Sequence, residues 1–156
     1  PHSSAFTGRH SLINSCHQQP QSNQVMGFAS IYTKATSVIF GIYALQMILI
    51  PANMVTDHWG MPSTPGMEFW IRGHGVSLLV LCYLSMHVPT AVAAKAAFVL
   101  SLGIAIVYPF NAKFGYLTPG LPLKYPMHYV PEGLMLGLTG AGLAAVMESP
   151  GGVKTA

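Results

Sequence analysis

The feature that most constrains this chain is the repeated return of apolar runs about as long as a bilayer is thick. A hydrocarbon core about 30 Å across is crossed by about 20 mainly apolar helical residues. Four stretches come close to that length: Ile31 to Ile50, Met67 to Val88, Ala91 to Phe110, and Val130 to Met147. Hydrophobic residues make up 51% of the chain and charged residues only 7%, whereas roughly a quarter of an ordinary soluble domain is charged. So few charges cannot clothe a soluble surface. The sequence therefore predicts an all-α polytopic membrane protein with about four transmembrane helices over residues 30–148, preceded by a polar N-terminal arm (1–29) and followed by a short tail (149–156). Nothing outside the runs is long enough for a soluble catalytic domain.

Prolines and interfacial residues punctuate the runs. The first begins near Tyr32 and Lys34, whose stem can snorkel to the interface, and stops at Pro51, which cannot continue the hydrogen-bond ladder. Gln46 lies inside it, and a buried amide needs a partner, so Gln46 is expected to face another helix. The connector Pro51 to Gly66, with Pro62, Pro65, Gly60 and the anchor Trp59, reads as an irregular surface loop. Glu68 and Arg72 open the second span as an i,i+4 ion pair beside Trp70. Pro89 follows His87 so closely that the second and third spans are expected to be antiparallel neighbours. The segment Asn111 to Tyr129, rich in Pro and Tyr, reads as a loop on the membrane surface. Pro131 and Glu132 suit the first turn of the fourth span.

The arm has Arg9 as its one fixed charge, and the first acid in the chain is Asp57. A Ser-rich, acid-poor N-terminus resembles an organelle targeting segment, and its scarcity of Arg favours a plastid over a mitochondrion; a flexible polar tail is the plainer reading. The chain begins at Pro, which fits a processed or trimmed protein. An even number of spans puts both termini on one side, with Arg9, Lys34, Lys95 and Lys154, against Arg72, Lys113 and Lys124 opposite. Because cytoplasmic-type faces carry the excess of Lys and Arg, the termini are expected on the stromal or matrix side. The expected location is the plastid thylakoid membrane, with the mitochondrial inner membrane second. A formal net charge of +3 without a basic run excludes a nucleic-acid groove.

Membrane helices associate through close packing, because lipid tails are as apolar as Leu. Small residues recur at i,i+4 in two rows: Gly133, Gly137, Ala141 and Ala145 in the fourth span, and Ala93, Ala97, Ser101 and Ala105 in the third. Such rows admit a close neighbour, either within this chain or from another protein.

Candidate chemistry is sparse. Cys16 and Cys82 fall at different depths and in no CxxC pattern, so they read as inert thiols without a disulfide. No Ser-His-Asp order, phosphate loop or zinc-protease motif occurs. His58, His74 and His128, with Asp57, Glu68 and Glu132, fall toward the side opposite the termini, where they could bind a metal or relay protons, although the spacing repeats no ligand interval. His74 and His87 are thirteen residues apart on one helix, about 20 Å at 1.5 Å per residue, so they cannot share one haem. Either could ligate the magnesium of a chlorophyll from a helix surface, as could Gln46 or Glu132. His74, between Gly73 and Gly75, has the most room for a macrocycle.

The order of a first span ending at Pro51, a loop, a Gly-containing second span, a short turn after His87, a third span, and a loop leading to an acid-led fourth resembles the small DoxX-like four-helix membrane families over Ile31 to Met147. The resemblance implies a four-helix membrane fold and transfers no functional residue. The acid-to-Arg pairing repeated on two helices in light-harvesting families is not matched. The sequence reads best as a non-catalytic accessory subunit of an organellar energy-transducing complex, a photosystem-antenna supercomplex ahead of a respiratory one. Its partners would be lipids and other integral membrane subunits, with chlorophyll and carotenoid against the second span. The alternative is a small membrane enzyme or carrier built on the histidine and carboxylate groups.

Overall fold

The structure, a computed structural model, describes residues 27–148. Cys16, Arg9, Lys154 and most of the expected arm and tail lie outside the described residues. The described chain is helical: α1 (Phe28–Leu49), α2 (Pro51–His58), α3 (Pro65–Ser85), α4 (Thr90–Ala105), a π-helical turn (Ile106–Phe110), α5 (Asn111–Phe114) and α6 (Tyr129–Glu148). Three helices are long and apolar enough to cross a membrane: α1, the continuous stretch Thr90–Phe114, and α6. This differs from the four spans expected. With 21 residues, α3 is long enough, but Glu68, Arg72 and His74 in its first half leave it less apolar than the other three.

Pro51 explains both a break and a beginning. It lacks the N–H that α1 would need to continue, yet its fixed φ suits the first position of a new helix. The segment expected to be an irregular loop therefore opens with two turns of helix, α2, which bury Pro51 and Val55 one turn apart on the same face. Downstream, Thr64 caps α3 by accepting a hydrogen bond from Met67 N at 3.3 Å, with Pro65 at the first position and Glu68 in the first turn. Pro109 sits within the π-helical turn, where a missing N–H and a bulky ring would break a regular ladder. The Tyr116 hydroxyl donates to the Ile106 carbonyl there.

α1 is the hub. One face packs along α3, antiparallel to it: Arg72 Nε donates to Ile48 O at 3.3 Å, Gly75 lies against Ala44, and Ser37 Oγ meets Ser85 Oγ at 2.7 Å. Gly75 makes this approach possible, since a Cβ there would lie 2.8 Å from Ala44 O and 2.9 Å from Met47 Cβ. Another face of α1 meets α4 and α6, which pack chiefly on each other. Tyr32 is the pivot: its hydroxyl is 3.5 Å from Ser101 Oγ on α4, and its ring fills the space where Gly142 on α6 has no side chain. Ala29 N at the start of α1 donates to Glu148 Oε2 at 3.2 Å, joining the two ends of the described chain.

The short turn at Pro89 reverses the chain but does not make α3 and α4 neighbours along their length. They share few contacts, because the Gly75 approach and the serine pair hold α3 on α1. Gln46 does not face another helix. It is exposed and lies two residues beyond buried Ala44, which at about 100° per residue turns it about 200° away from that face.

Candidate functional site

Among the described residues, the end of the bundle away from Ala29 and Glu148 carries the one polar cluster whose buried nitrogens lack partners. Here the chain after α2 pairs with the chain before α6. Gly60 N donates to Pro122 O at 2.6 Å, Lys124 N to His58 O at 2.9 Å, and Lys124 Nζ to Thr56 O at 3.1 Å, around an antiparallel bridge between Trp59 and Leu123. This cap brings His58 and His128 together with ring centroids 6.0 Å apart at an interplanar angle of 72°. His128 is 3% exposed. One turn into α6, Glu132 places Oε1 3.5 Å from His128 Nε2 and accepts a hydrogen bond from the Tyr125 hydroxyl at 3.0 Å.

Buried polar groups in native folds are almost always hydrogen-bonded. In the cap, His58 Nδ1, Trp59 Nε1 and both ring nitrogens of His128 are buried with no hydrogen-bond partner. Burial drives both imidazoles below their usual pKa. His128 adds a further lowering to His58, while Asp57 raises it and Glu132 raises His128. At neutral pH the pair is therefore uncharged. Tyr125 is held above the usual phenol range by burial and by the Glu132 carboxylate. Among the described residues, no group of three or more His, Cys, Asp or Glu side chains is arranged to hold a metal ion. Two neutral imidazoles beside the Glu132 carboxylate can exchange protons.

A second polar knot, which the sequence reading did not single out, ties the start of α5 to the turn that follows it. Asn111 is buried, accepts hydrogen bonds from Leu117 N at 2.7 Å and Thr118 N at 3.1 Å through Oδ1, and donates to Thr118 Oγ1 at 2.8 Å through Nδ2.

The other candidate residues are scattered. His74 is exposed on α3 and makes no hydrogen bond, ion pair or ring contact among the described residues, so it joins neither His58 nor His128. Of its flanking glycines, Gly73 faces open space, whereas Gly75 is occupied by α1. His87 lies at the far end of α3, where Nδ1 meets Tyr83 O at 2.8 Å and the ring lies 4.3 Å from that of Tyr83, leaving Nε2 as the unused donor atom. Arg72 Nη1 lies 3.5 Å from Glu68 Oε2, and Ser63 Oγ donates to Glu68 Oε1 at 3.2 Å.

The two rows of small residues diverge. On α4, Ala93, Ser101 and Ala105 are buried and Ala97 is partly so. On α6 the packed face is Met135, Leu138, Gly142 and Ala145. Gly133 and Gly137 are exposed with nothing within 4 Å of where a Cβ would stand, Ala141 is intermediate, and only Ala145 of the expected row is fully buried.

Between the first half of α1 and the second half of α3 lies an open groove of about 770 Å³, lined by Thr33, Lys34, Val38, Gly41, Cys82 and Met86 among others. No family model matches the chain, and no curated protein or solved structure is significantly similar to it.

Proposed function

We propose that this chain is a non-catalytic accessory subunit of a larger membrane assembly, embedded by its helices and covered on its outer faces by other integral subunits. The observation that carries this reading is how much of its apolar surface is left outside. Only 22–33% of the residues in the three apolar windows are buried. The outward side of α6 presents Gly133, Gly137 and Gly140, all with open space where a side chain would be. Lipid chains gain nothing from such a smooth track, whereas a second helix can approach its backbone closely. Purification in mild detergent followed by native electrophoresis tests the reading. Migration within a complex much larger than 16.7 kDa is expected, and a lone monomer or small homo-oligomer sinks it.

Within that reading, an energy-transducing organelle membrane is the proposed host, a photosystem-antenna supercomplex in the thylakoid ahead of the mitochondrial inner membrane, with the termini on the stromal or matrix side. The acid-poor arm supports the plastid. His74 supports a pigment role, because an exposed, unpartnered imidazole one turn from exposed Trp70 needs a ligand or a wet neighbour. Chlorophyll magnesium against His74, with carotenoid or lipid in the adjoining grooves, would meet that need; His87 Nε2 and Gln46 offer weaker positions. Replacing His74 with Leu is expected to remove one chlorophyll from the purified complex without releasing the subunit. Unchanged pigment stoichiometry would reject the assignment. The alternative reading, a small membrane enzyme or carrier, draws its support from the cap histidines, and stoichiometric metal in the pure protein, lost in His58→Ala, would favour it.

A further inference from the structure

We propose that the His58–His128 pair is a proton-binding latch: with both imidazoles neutral it holds the end of α2 against the segment before α6, and uptake of a proton by the pair releases that contact.

The closed cap lacks partners for three of its imidazole nitrogens. A neutral imidazole has one donor and one acceptor nitrogen, and both are donors once it is protonated. In the closed cap neither nitrogen of His128 is hydrogen-bonded, nor is Nδ1 of His58. An added proton therefore finds no hydrogen bond already formed, only the Glu132 carboxylate 3.5 Å from His128 Nε2, and His128 is buried. The charged and titratable groups around the pair are few. Glu132, from α6, lies 3.5 Å from His128 Nε2 and is shared with the Tyr125 hydroxyl. Asp57, beside His58 on α2, is exposed and favours a proton on His58. Lys124 has its ammonium on Thr56 O. The rings of Tyr125 and Trp59 pack edge-on against His128 and His58 respectively.

The first proton has one carboxylate to meet, on His128. A second would put two cations on rings 6.0 Å apart. Opening the cap relieves both problems, because water solvates each charged ring. What holds the cap shut across this seam is also modest: the Gly60 and Lys124 amide bonds that make the Trp59–Leu123 bridge, and the Lys124 ammonium bond.

The sign follows from linkage. Both imidazoles have lowered affinity for protons in the closed cap, so the open form binds more protons below the usual histidine range, about pH 6.5. The closed form is fully favoured above that pH and loses ground as the pH falls below it. Each linked proton changes the opening equilibrium by up to about tenfold per pH unit.

Hydrogen exchange of the Gly60 and Lys124 amides reads the latch directly, because both are donors across the seam. In the full chain in lipid nanodiscs, and after correction for the chemical exchange rate, their protection is expected to fall as the pH drops from about 7 to about 5, while amides in the middle of α1 and α4 hold theirs. In the double variant His58→Gln, His128→Gln the decline is expected to vanish. Protection that is independent of pH in the native chain, or a decline that survives in the double variant, overturns the proposal. A second measurement keeps both histidines in place. The chain has two tryptophans, so Trp70→Phe leaves Trp59 as the sole reporter, and its emission maximum is expected to move to the red over the same pH range. A maximum that stays fixed overturns the latch as well.

Discussion

The spans and the cap treat buried polarity in opposite ways. Along the spans the polar side chains are mostly hydroxyls that turn back on their own helix: Thr33 Oγ1 donates to Ala29 O at 2.8 Å, Ser101 Oγ to Ala97 O at 2.8 Å, and Thr139 Oγ1 to Met135 O at 2.7 Å. Each is satisfied locally and can be set anywhere on a helix without asking for a partner elsewhere. In the cap, polarity depends on distant residues. His58 meets His128 across seventy positions of sequence, and His58 Nδ1 and both nitrogens of His128 stay unpaired even so. The comparison separates two jobs. The spans are built to pack and to face a membrane, and the cap is the region whose chemistry changes with conditions.

The largest effects should come from testing how the spans pack. At Gly75 a Cβ would collide with Ala44 O and with the Met47 and Ile48 side chains, and at Gly137 it would meet nothing within 4 Å. Gly75→Leu is therefore expected to destabilise the bundle by about 3 kcal/mol or more, since overpacking against backbone cannot be relieved by a rotamer change. Gly137→Leu is expected to leave the isolated subunit's stability nearly unchanged. If Gly133 and Gly137 form a partner's track, however, Gly137→Leu should release the subunit from its complex on a native gel. Thermal unfolding in detergent checks the first expectation. Equal losses from both substitutions would mean that the two glycines play the same role.

A smaller effect tests the Asn111 knot. Asn111→Ala removes the acceptor for two backbone N–H groups and a donor to Thr118. Leaving those groups unmade inside a partly buried turn is expected to cost about 2 kcal/mol. Exchange at the Leu117 and Thr118 amides should rise with it, ahead of any change in α1. A loss spread uniformly over all helices would show that the turn is not a separate unit.

How far the sequence carried the fold follows from the same contrast. Helical spans were legible because run length and proline position are local signals, and Ala93, Ala97, Ser101 and Ala105 marked the buried side of α4. Other features required the third dimension. On α6, Gly133, Gly137 and Ala141 compete with Gly142 as the smooth side, and the rings of Tyr32 from α1 and Phe98 from α4 select Gly142. The helix at Pro51–His58 was hidden by the proline that starts it. The pairing of residues 58–60 with 122–124 joins two segments far apart in sequence, and no periodicity announces it. One part of the cap was visible locally: His128 and Glu132 stand at i,i+4, the spacing that brings side chains together at the start of a helix. That pair could have been separated from His74, which turns out to stand alone on α3.

The smallest effect is expected where the sequence pattern looked most like a designed interaction. Glu68 and Arg72 form an i,i+4 pair at 3.5 Å, with the arginine side chain 49% exposed. Water near the membrane interface screens such a pair, and ordering two long side chains offsets much of the attraction, so exposed pairs are worth about 0.2–1 kcal/mol. Here each partner also has another commitment, Arg72 Nε to Ile48 O and Glu68 Oε1 to Ser63 Oγ. A double-mutant cycle with Glu68→Gln and Arg72→Gln should therefore give a coupling energy below about 1 kcal/mol, and Arg72→Gln alone should cost more than Glu68→Gln, because it also frees the Ile48 carbonyl near the end of α1. A coupling of several kcal/mol would place the pair deep in hydrocarbon rather than at the interface. That outcome would make α3 a fourth span whose charged end is buried, and would move the boundary of the membrane past Arg72 toward the cap.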